Sequence, residues 1–231
     1  MTPAISMRNV GKTYQKARGL AVPVLHGLNL EVQKGQFLAL MGPSGSGKTT
    51  ILNLMGGIDR PDSGEIAVYG RHLEGLTSGQ LGLWRSNNVG FVFQSYHLLP
   101  ILSAAANVEL PLLLTELSRS QRHAHVNAAL EIVGLADRAS HKPGQLSGGQ
   151  QQRVGIARAI VTDPKLLLCD EPTGDLDRGT ADEILLLLRE LNQRHDKTIV
   201  MVTHDQKAAD YATRQLQLDK GELVEHATEG H

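Results

Sequence analysis

The stretch GPSGSGKT, at residues 42–49, decides the fold of this chain. It satisfies the pattern G-x-x-x-x-G-K-[ST], whose glycine-rich backbone presents N–H groups to phosphates. In this pattern Lys48 reaches the outer phosphates and the Thr49 hydroxyl holds Mg²⁺. An apolar run, LALM, precedes the stretch and a helix-compatible run, TTILNLMGG, overlaps its end and continues beyond it. That context of strand, loop and helix is what the pattern requires, so we predict a nucleotide site here.

A second candidate anion site is the stretch LSGGQ at residues 146–150. Ser147 is placed to cap the start of a helix, and Gln150, three residues later, is placed to reach back in a capping box. Gly148 and Gly149 let a ligand approach the backbone closely. Because the first N–H groups of a helix attract anions, this stretch predicts a further phosphate contact.

Composition argues against several classes of protein. The chain has 231 residues, with 23 Lys and Arg against 24 Asp and Glu, and only 3% aromatic residues. Neither a basic field nor an aromatic platform favours nucleic acid binding. The single cysteine, Cys169, lies in the apolar run LLLC and is expected to be a buried strand residue in a protein of the reducing cytosol. We predict no membrane-spanning segment and no secretory signal.

Three short apolar runs end abruptly at polar residues. LALM precedes Gly42, LLLC precedes Asp170 and Glu171, and TIVMVT precedes His204. Continuous rather than alternating apolar runs are typical of parallel strands that are covered on both faces. Since ligands gather at the carboxyl ends of such strands, we expect Lys48, Asp170 and His204 to share one crevice.

The remaining pattern predicts an α/β fold. A helical spacing of apolar residues at 181–191 separates two of the buried runs. Residues 5–10, 24–32 and 65–69 resemble strands separated by Gly, Pro and Asp, which predicts an antiparallel flank. Residues 95–161 are mostly helical in pattern and form an insertion. We expect a P-loop NTPase core with a mainly parallel sheet, an antiparallel β flank and an inserted helical subdomain.

Five side chains outside the two glycine-rich stretches are candidates for catalysis or ligand binding. Asp170 is placed to hold Mg²⁺, and Glu171 to orient an attacking water beside the γ-phosphate, although a strand-end Glu is otherwise simply solvated. His204 alone would be an ordinary paired histidine, but its place at a strand end predicts a γ-phosphate contact. Gln94, after GFVF, contacts Mg²⁺ or the attacking water, or only anchors its loop. Tyr14 stacks on a base or simply packs.

Five motifs occur together in one order: GPSGSGKTT, FVFQ, LSGGQ, LLLCDEPTGDLD and VTHD. With them the chain resembles, over essentially its whole length, the nucleotide-binding subunit of an ATP-binding-cassette (ABC) transporter. The stretches GFVFQSYHLLPILSAAANVELPLLL and HKPGQLSGGQQQRV are similar to the subgroup of LolD, MacB and FtsE types, which serves lipoprotein release, macrolide efflux and cell division. The resemblance implies a single ATPase domain over residues 1–231, with a nucleotide-binding core at 1–94 and 162–231 and a helical subdomain at 95–161.

The resemblance also implies a head-to-tail homodimer that closes on two ATP molecules. One subunit's residues 42–49 would hold each ATP together with the other subunit's Ser147, Gly148 and Gly149. An integral membrane permease would be the partner, and the chain would lie peripherally on the cytoplasmic face of the inner or plasma membrane. Asp175 departs from the family pattern, because many relatives carry a small residue there.

The roles that the resemblance assigns to individual residues fall into three groups. The catalytic group comprises Glu171 as general base, His204 as the γ-phosphate contact and Lys48. The ATP-binding group comprises Tyr14 stacked on adenine, the loop residues Gly42, Pro43, Ser44, Gly45, Ser46, Gly47, Lys48, Thr49 and Thr50, then Gln94, Ser147, Gly148, Gly149 and Asp177, the last signalling across the dimer. The Mg²⁺ ligands are Thr49, Gln94 and Asp170.

Two rival functions have less support. A soluble ABC ATPase of DNA maintenance or translation usually carries a long coiled-coil insertion or a second cassette, and neither is present in this sequence. A GTP-dependent switch would need a guanine-reading N-K-x-D motif, which the sequence lacks. The transported substrate cannot be derived from this chain, since the permease selects it, and only the likeness to the subgroup favours export over import.

Overall fold

The computed structural model describes residues 2–15 and 21–224. Two sheets and the helices around them make up an α/β fold, as predicted. The strands are β1 (Ile5–Gln15), β2 (Ala21–Val32), β3 (Phe37–Met41), β4 (Ser63–Val68), β5 (Arg71–His72), β6 (Val89–Phe93), β7 (Leu166–Asp170), β8 (Thr198–Thr203), β9 (Arg214–Asp219) and β10 (Glu222–Val224). The α-helices are α1 (Lys48–Met55), α2 (Ser78–Asn88), α3 (Ala104–Glu109), α4 (Arg119–Ile132), α5 (Gly148–Ile160), α6 (Arg178–His195) and α7 (Gln206–Ala209).

The larger sheet has six strands in the order β10-β9-β3-β8-β7-β6. Its pairs are parallel except for β10, which runs antiparallel to β9. The three predicted apolar runs are β3, β7 and β8, and they are adjacent: Met41 pairs with Thr203, and Asp170 pairs with Val202. Their carboxyl ends therefore meet at one edge of the sheet, as the sequence predicted.

The smaller sheet, β2-β1-β4-β5, is the predicted antiparallel flank. The prediction of its first strand was too short, since β1 continues past Val10 to Gln15. The second half of β1 is polar and lacks alternation, but pairing with β2 extends it, with Tyr14 opposite Val22. The ladder shifts register around Val10, as a β-bulge does, and this breaks the period-2 pattern that would have revealed the strand.

Two layers of apolar side chains cover the two faces of the six-stranded sheet. One layer fills the space between the two sheets and α1, and the other lies beneath α3 to α6. Helix α5 sits directly on β6, because a Cβ atom on Gly90 would lie 2.2 Å from the carbonyl oxygen of Ala159. Cys169 is fully buried in β7, as predicted.

Residues 95–161 are predominantly helical, with α3, α4 and α5 packed against one another. The helical pattern begins later than predicted, because residues 95–103 form turns and α3 starts only after its cap, Ser103. Pro100 interrupts this segment and excludes a continuous helix. Across the described ranges, 2–15 and 21–224, no helix has both the length and the apolar character needed to span a membrane.

Candidate active site

The loop at residues 42–49 connects the end of β3 to the start of α1. Gly47 caps α1 with φ of 105°, and no side chain bonds to the helix start. Its conformation favours glycine, and the first N–H groups of α1 are left available to an anion. Gly42 is required by a close approach, since a Cβ there would lie 2.2 Å from the Leu218 carbonyl oxygen. No acidic residue occupies the first turn of α1, so the helix itself adds no negative side chain that would repel a phosphate.

The side chains of this loop fit a polyphosphate. Lys48 is buried, and its Nζ donates to the carbonyl oxygens of Gly42 at 2.8 Å and Pro43 at 2.9 Å, so its ammonium lies within the loop. The buried Ser46 Oγ has no hydrogen-bond partner among the described residues. Nothing crowds Gly45, where an added Cβ would meet open space. A buried cation and an unpaired hydroxyl are what an anionic ligand would satisfy.

Thr49 and Asp170 meet across the gap between α1 and β7. The Thr49 Oγ1 donates to Asp170 Oδ2 at 3.1 Å. Burial raises the pKa of Asp170, and the negative charge of Glu171 adds to this, although the Thr49 hydrogen bond and the Lys48 charge oppose it. The result is a hydroxyl and a poorly solvated carboxylate side by side, a pair of hard oxygen donors that suits Mg²⁺.

The side chains of Glu171 and His204 meet at the ends of β7 and β8. The His204 Nδ1 lies 2.7 Å from Glu171 Oε2, and the histidine side chain is 67% exposed. Glu171 adopts a left-handed backbone conformation, with φ of 46°. Such a conformation is unfavourable for a non-glycine residue and is concentrated at functional sites. Its N–H donates to the Val202 carbonyl oxygen at 3.0 Å, which ties the residue to β8.

Gln94 follows β6, and its amide is directed toward Asp175. The Gln94 Nε2 donates to Asp175 Oδ1 at 2.8 Å. Gly174 makes this approach possible, because a Cβ there would lie 2.9 Å from the same nitrogen. The carboxylate that departs from the family pattern therefore contacts a proposed ligand-binding side chain directly, which no sequence signal indicated.

Tyr14 is held in β1 by a group of polar side chains. Its hydroxyl donates to Asp59 Oδ2 at 2.8 Å, and the buried Lys12 Nζ lies 5.1 Å from its ring centre and donates to Asp59 Oδ1. Burial chiefly raises the pKa of Tyr14, the hydrogen bond to Asp59 raises it further, and a hydrogen bond with Thr50 lowers it. The ring, 36% exposed, therefore lies beside the start of α1.

The stretch LSGGQ begins α5 with the predicted capping box. Gln150 N donates to Ser147 Oγ at 3.3 Å, and Ser147 N donates to Gln150 Oε1 at 3.0 Å. The glycines also have a packing role that the sequence did not reveal. A Cβ on Gly149 would lie 2.2 Å from the Thr180 methyl group, so α5 and α6 touch there.

Asp177 caps α6, a role that the sequence reading did not include. Its Oδ1 accepts from the Thr180 N at 3.1 Å and its Oδ2 accepts from the Thr180 Oγ1 at 2.6 Å. These bonds lower the pKa of Asp177. Any signal that Asp177 passes to a second subunit would act through the start of this helix.

The structure thus brings the site residues together in two groups. Lys48, Thr49, Asp170, Glu171 and His204 lie around the carboxyl ends of β3, β7 and β8. Within the part of the chain that the structure describes, no hydrogen bond joins this group to the Ser147–Gly149 group.

Comparison with known protein families identifies the family of this chain. The model of a family described as ABC transporter matches residues 25–174, which include both phosphate motifs. The chain belongs to the ABC transporter family. It is an ATP-hydrolysing cassette of that family.

Relatives of this cassette are found among separate ATP-binding proteins and within larger ones. YvrO of Bacillus subtilis, an uncharacterized ABC transporter ATP-binding protein, is 47% identical over 220 residues, covering 95% of each chain. The lipoprotein-releasing system ATP-binding protein LolD of Geobacter metallireducens is 48% identical over 203 residues, covering 88% of this chain and 90% of LolD. The macrolide export ATP-binding/permease protein MacB of Marinobacter nauticus is 44% identical, and the cassette spans only 34% of its length.

A solved structure has the same fold. It is the ATP-binding cassette MJ0796 in a dimeric post-hydrolysis state bound to ADP and Pi. It is 40% identical to this cassette, with a TM-score of 0.88, and the match covers 98% of this chain and 100% of that one.

Other residues that touch the candidate site were missed by sequence reasoning. Gln152 and Arg158, both in α5, bond to loops that carry Glu171 and Gln94. Gln152 lies four residues before Ile156 on the buried face of α5. A polar residue on an apolar helical stripe was the signal that could have identified it.

The geometry of Lys48 generates a first prediction. Replacing it, Lys48→Ala, removes the buried ammonium from the phosphate loop and should weaken ATP binding roughly tenfold to a hundredfold, the range expected for losing a hydrogen bond to a charged group. Isothermal titration calorimetry with ATP measures this. Lys34→Ala is the matched control, because Lys34 is exposed before the opposite end of β3 and should leave affinity unchanged. Wild-type affinity in Lys48→Ala would contradict the phosphate role.

Proposed function

We propose that two copies of this cassette close head to tail on two ATP molecules and that hydrolysis reopens them, driving a separate membrane permease. One observation supports the proposed ATP hydrolysis: at one edge of the sheet, Thr49 contacts Asp170 and Glu171 contacts His204. A phosphate loop, a pair of metal-binding oxygens and a carboxylate base are the parts that phosphoryl transfer to water requires.

In this mechanism each side chain has one task. The α1 N–H groups and Lys48 hold the outer phosphates, and Tyr14 stacks on the adenine ring beside Thr50. Glu171 accepts a proton from the attacking water, and His204 contacts the γ-phosphate from the far side of Glu171. Because the His204 side chain is largely exposed, it is accessible to a phosphate that enters the site.

Mg²⁺ is the proposed cofactor, held by Thr49 and Asp170 with help from Gln94. The described residues contain no group of three or more His, Cys, Asp or Glu side chains suited to a metal. This suits Mg²⁺ in a nucleotide site, where one or two protein oxygens are completed by phosphates and water. The ion would supply charge neutralisation to the phosphate oxygens.

The dimer accounts for the two separate anion sites. Ser147 and the free N–H groups at the start of α5 lie apart from the same chain's phosphate loop, so they are available to ATP held by a second copy. The dimeric state of the related MJ0796 cassette supports this arrangement. Asp177, at the start of α6, would then contact the other copy and signal across the dimer.

Exposed apolar side chains support a docking surface for the permease. Leu99, Ile101, Leu113 and Leu114 are 47%, 77%, 56% and 73% exposed and all lie in the segment 95–161. Leu114 lines a groove with Phe91, Phe93 and Arg158, next to the loop that follows Gln94. We therefore assign to residues 95–161 the role of a helical subdomain that joins a core of residues 1–94 and 162–231 to a cytoplasmic segment of the permease.

The substrate class is inferred from the relatives. LolD is named for lipoprotein release and MacB for macrolide export, so we propose export or release of a lipid-like substrate. The cassette would then lie peripherally on the cytoplasmic face of the membrane, bound to its permease.

Replacing the proposed base tests hydrolysis. Glu171→Gln should reduce the rate of ATP hydrolysis by roughly 10²–10⁴-fold, the usual contribution of a general base, while ATP binding persists and a dimer accumulates. Phosphate release and light scattering in the presence of ATP measure the two effects. Glu131→Gln, an exposed change in α4, is the control. Hydrolysis at the wild-type rate in Glu171→Gln would refute the role of Glu171.

A bulky cation at the start of α5 tests the dimer. Ser147→Arg should leave ATP binding to a single copy unchanged but block ATP-dependent dimerisation, because its side chain would fill the space meant for the other copy's nucleotide. Dimer formation is measured by light scattering in the presence of ATP, with Ser147→Arg introduced into the Glu171→Gln variant, in which the dimer accumulates. Ser120→Arg, exposed in α4, should still dimerise. If Ser147→Arg dimerises as the wild type does, Ser147 is not part of a second anion site.

The permease surface has its own test. Leu114→Glu should abolish co-purification of the cassette with its permease from membranes, because it replaces an exposed apolar side chain of the groove with a charged one. ATP hydrolysis by the isolated cassette should stay unchanged. Leu186→Glu, at an exposed leucine of α6 outside the groove, should still co-purify. If Leu114→Glu still co-purifies with the permease, this groove is not the docking surface. If the cassette binds nucleic acid instead of a permease, the soluble class of ABC ATPase is favoured.

A further inference from the structure

A fully buried amide links the helix α5 to the loop that carries Glu171. Gln152 is 0% exposed, on the face of α5 that it shares with Gly149 and Ile156. Its Nε2 donates to the carbonyl oxygen of Pro172 at 2.5 Å. Pro172 directly follows Glu171 in the sequence, so the bond ends one residue from the proposed base.

The orientation of this amide is determined by its acceptor. The Pro172 carbonyl oxygen can only accept, so the nitrogen of the Gln152 amide must face it. The amide oxygen, Oε1, then has no hydrogen-bond partner among the described residues. A buried acceptor without a partner is unfavourable, and an apolar side chain of the same size would avoid this cost. Stability alone therefore does not account for a glutamine at this position.

The loop that receives the bond is strained. Glu171 has a left-handed φ of 46°, and such a conformation persists only where the surroundings determine it fully. Its N–H is bonded to Val202 and its carbonyl accepts from the Gly174 N–H at 3.1 Å. The Pro172 carbonyl oxygen is the next acceptor along the chain. Among the described residues, its side-chain donor is Gln152 of α5.

We infer that Gln152 is a positioning residue that holds Glu171 in its hydrolytic orientation through the Pro172 carbonyl. The inference rests on the proposed function of Glu171 as general base. The bond fixes the peptide plane that follows Pro172, the residue next to Glu171. A small displacement of a reacting group is enough to lower a rate strongly. Among the described residues no hydrogen bond joins the Gln152 side chain to the phosphate loop, so it should affect the chemical step and not the binding of ATP.

Gln152→Met is the variant that tests this inference. Methionine keeps the length and approximate volume of glutamine, loses the donor and removes the unpaired oxygen. We expect kcat for ATP hydrolysis to fall roughly tenfold to a hundredfold, with KM for ATP within about twofold of the wild type. The melting temperature should be unchanged or higher. Gln193→Met, at an exposed position of α6, is the matched control and should match the wild type in all three measurements.

A merely structural role would give a different result. It would lower the melting temperature of Gln152→Met and change KM together with kcat. The inference is also overturned if kcat of Gln152→Met equals that of the wild type. Gln152→Leu is the second variant, and failure of both variants to fold would show that the amide is structural and overturn the positioning role.

A double mutant separates this inference from the proposed function. Once Glu171→Gln has removed the base, adding Gln152→Met should reduce residual hydrolysis no further, because the two residues act as one unit. Additive losses would overturn the inference alone. If Glu171→Gln hydrolyses ATP normally, the proposed base is wrong; if Glu171→Gln is inactive and Gln152→Met is fully active, only the positioning role fails.

Discussion

The site depends on the parallel pairing of β3, β8 and β7. In a parallel sheet the carboxyl ends of all strands lie at the same edge, so the residues that follow each strand become neighbours regardless of their distance along the chain. The register between Met41 and Thr203, and between Asp170 and Val202, places the phosphate loop, the two carboxylates and His204 at that edge. Buried apolar side chains on both faces of the sheet hold the strands in this register.

Helix α5 is the second constraint, because it bonds to the loop after Glu171 and to the loop after Gln94. Its first turn carries Ser147, its buried Gln152 bonds to the loop after Glu171, and Arg158 donates to the carbonyl oxygens of Tyr96 and His97 at 2.7 and 2.6 Å. These last two residues have left-handed backbones, as Glu171 has. Two loops with left-handed backbone residues are thus held by side chains of the same helix.

Under the proposed function the two anion sites are divided between two copies, which explains why one chain has both. The free helix starts of α1 and α5 each favour an anion, but they belong to separate groups within one chain. Each copy therefore provides half of two complete sites. Closure on ATP would bury the exposed His204 and the surface around Asp177, while the groove beside Leu114 stays open to the permease.

Local patterns in the sequence predicted the three central strands, the phosphate loop and the helix cap at Ser147. Continuous apolar runs identified β3, β7 and β8, the glycine-rich motif identified its own loop, and the spacing of Ser147 and Gln150 predicted the capping box. These features depend on residues that are close together in the chain, where periodicity and capping chemistry act.

Contacts between distant segments were decided only by the tertiary structure. The full length of β1 depends on pairing with β2, and the support of Tyr14 depends on Asp59, which lies 45 residues away. Likewise, Gln94 bonds to Asp175 and Gln152 bonds to Pro172, and no sequence pattern predicted either contact. The sequence by itself determined which residues could bind a phosphate or form a strand. Packing decided which side chains meet. Each of these hydrogen bonds requires a donor and an acceptor from segments that are far apart in the sequence to come within about 3 Å of each other.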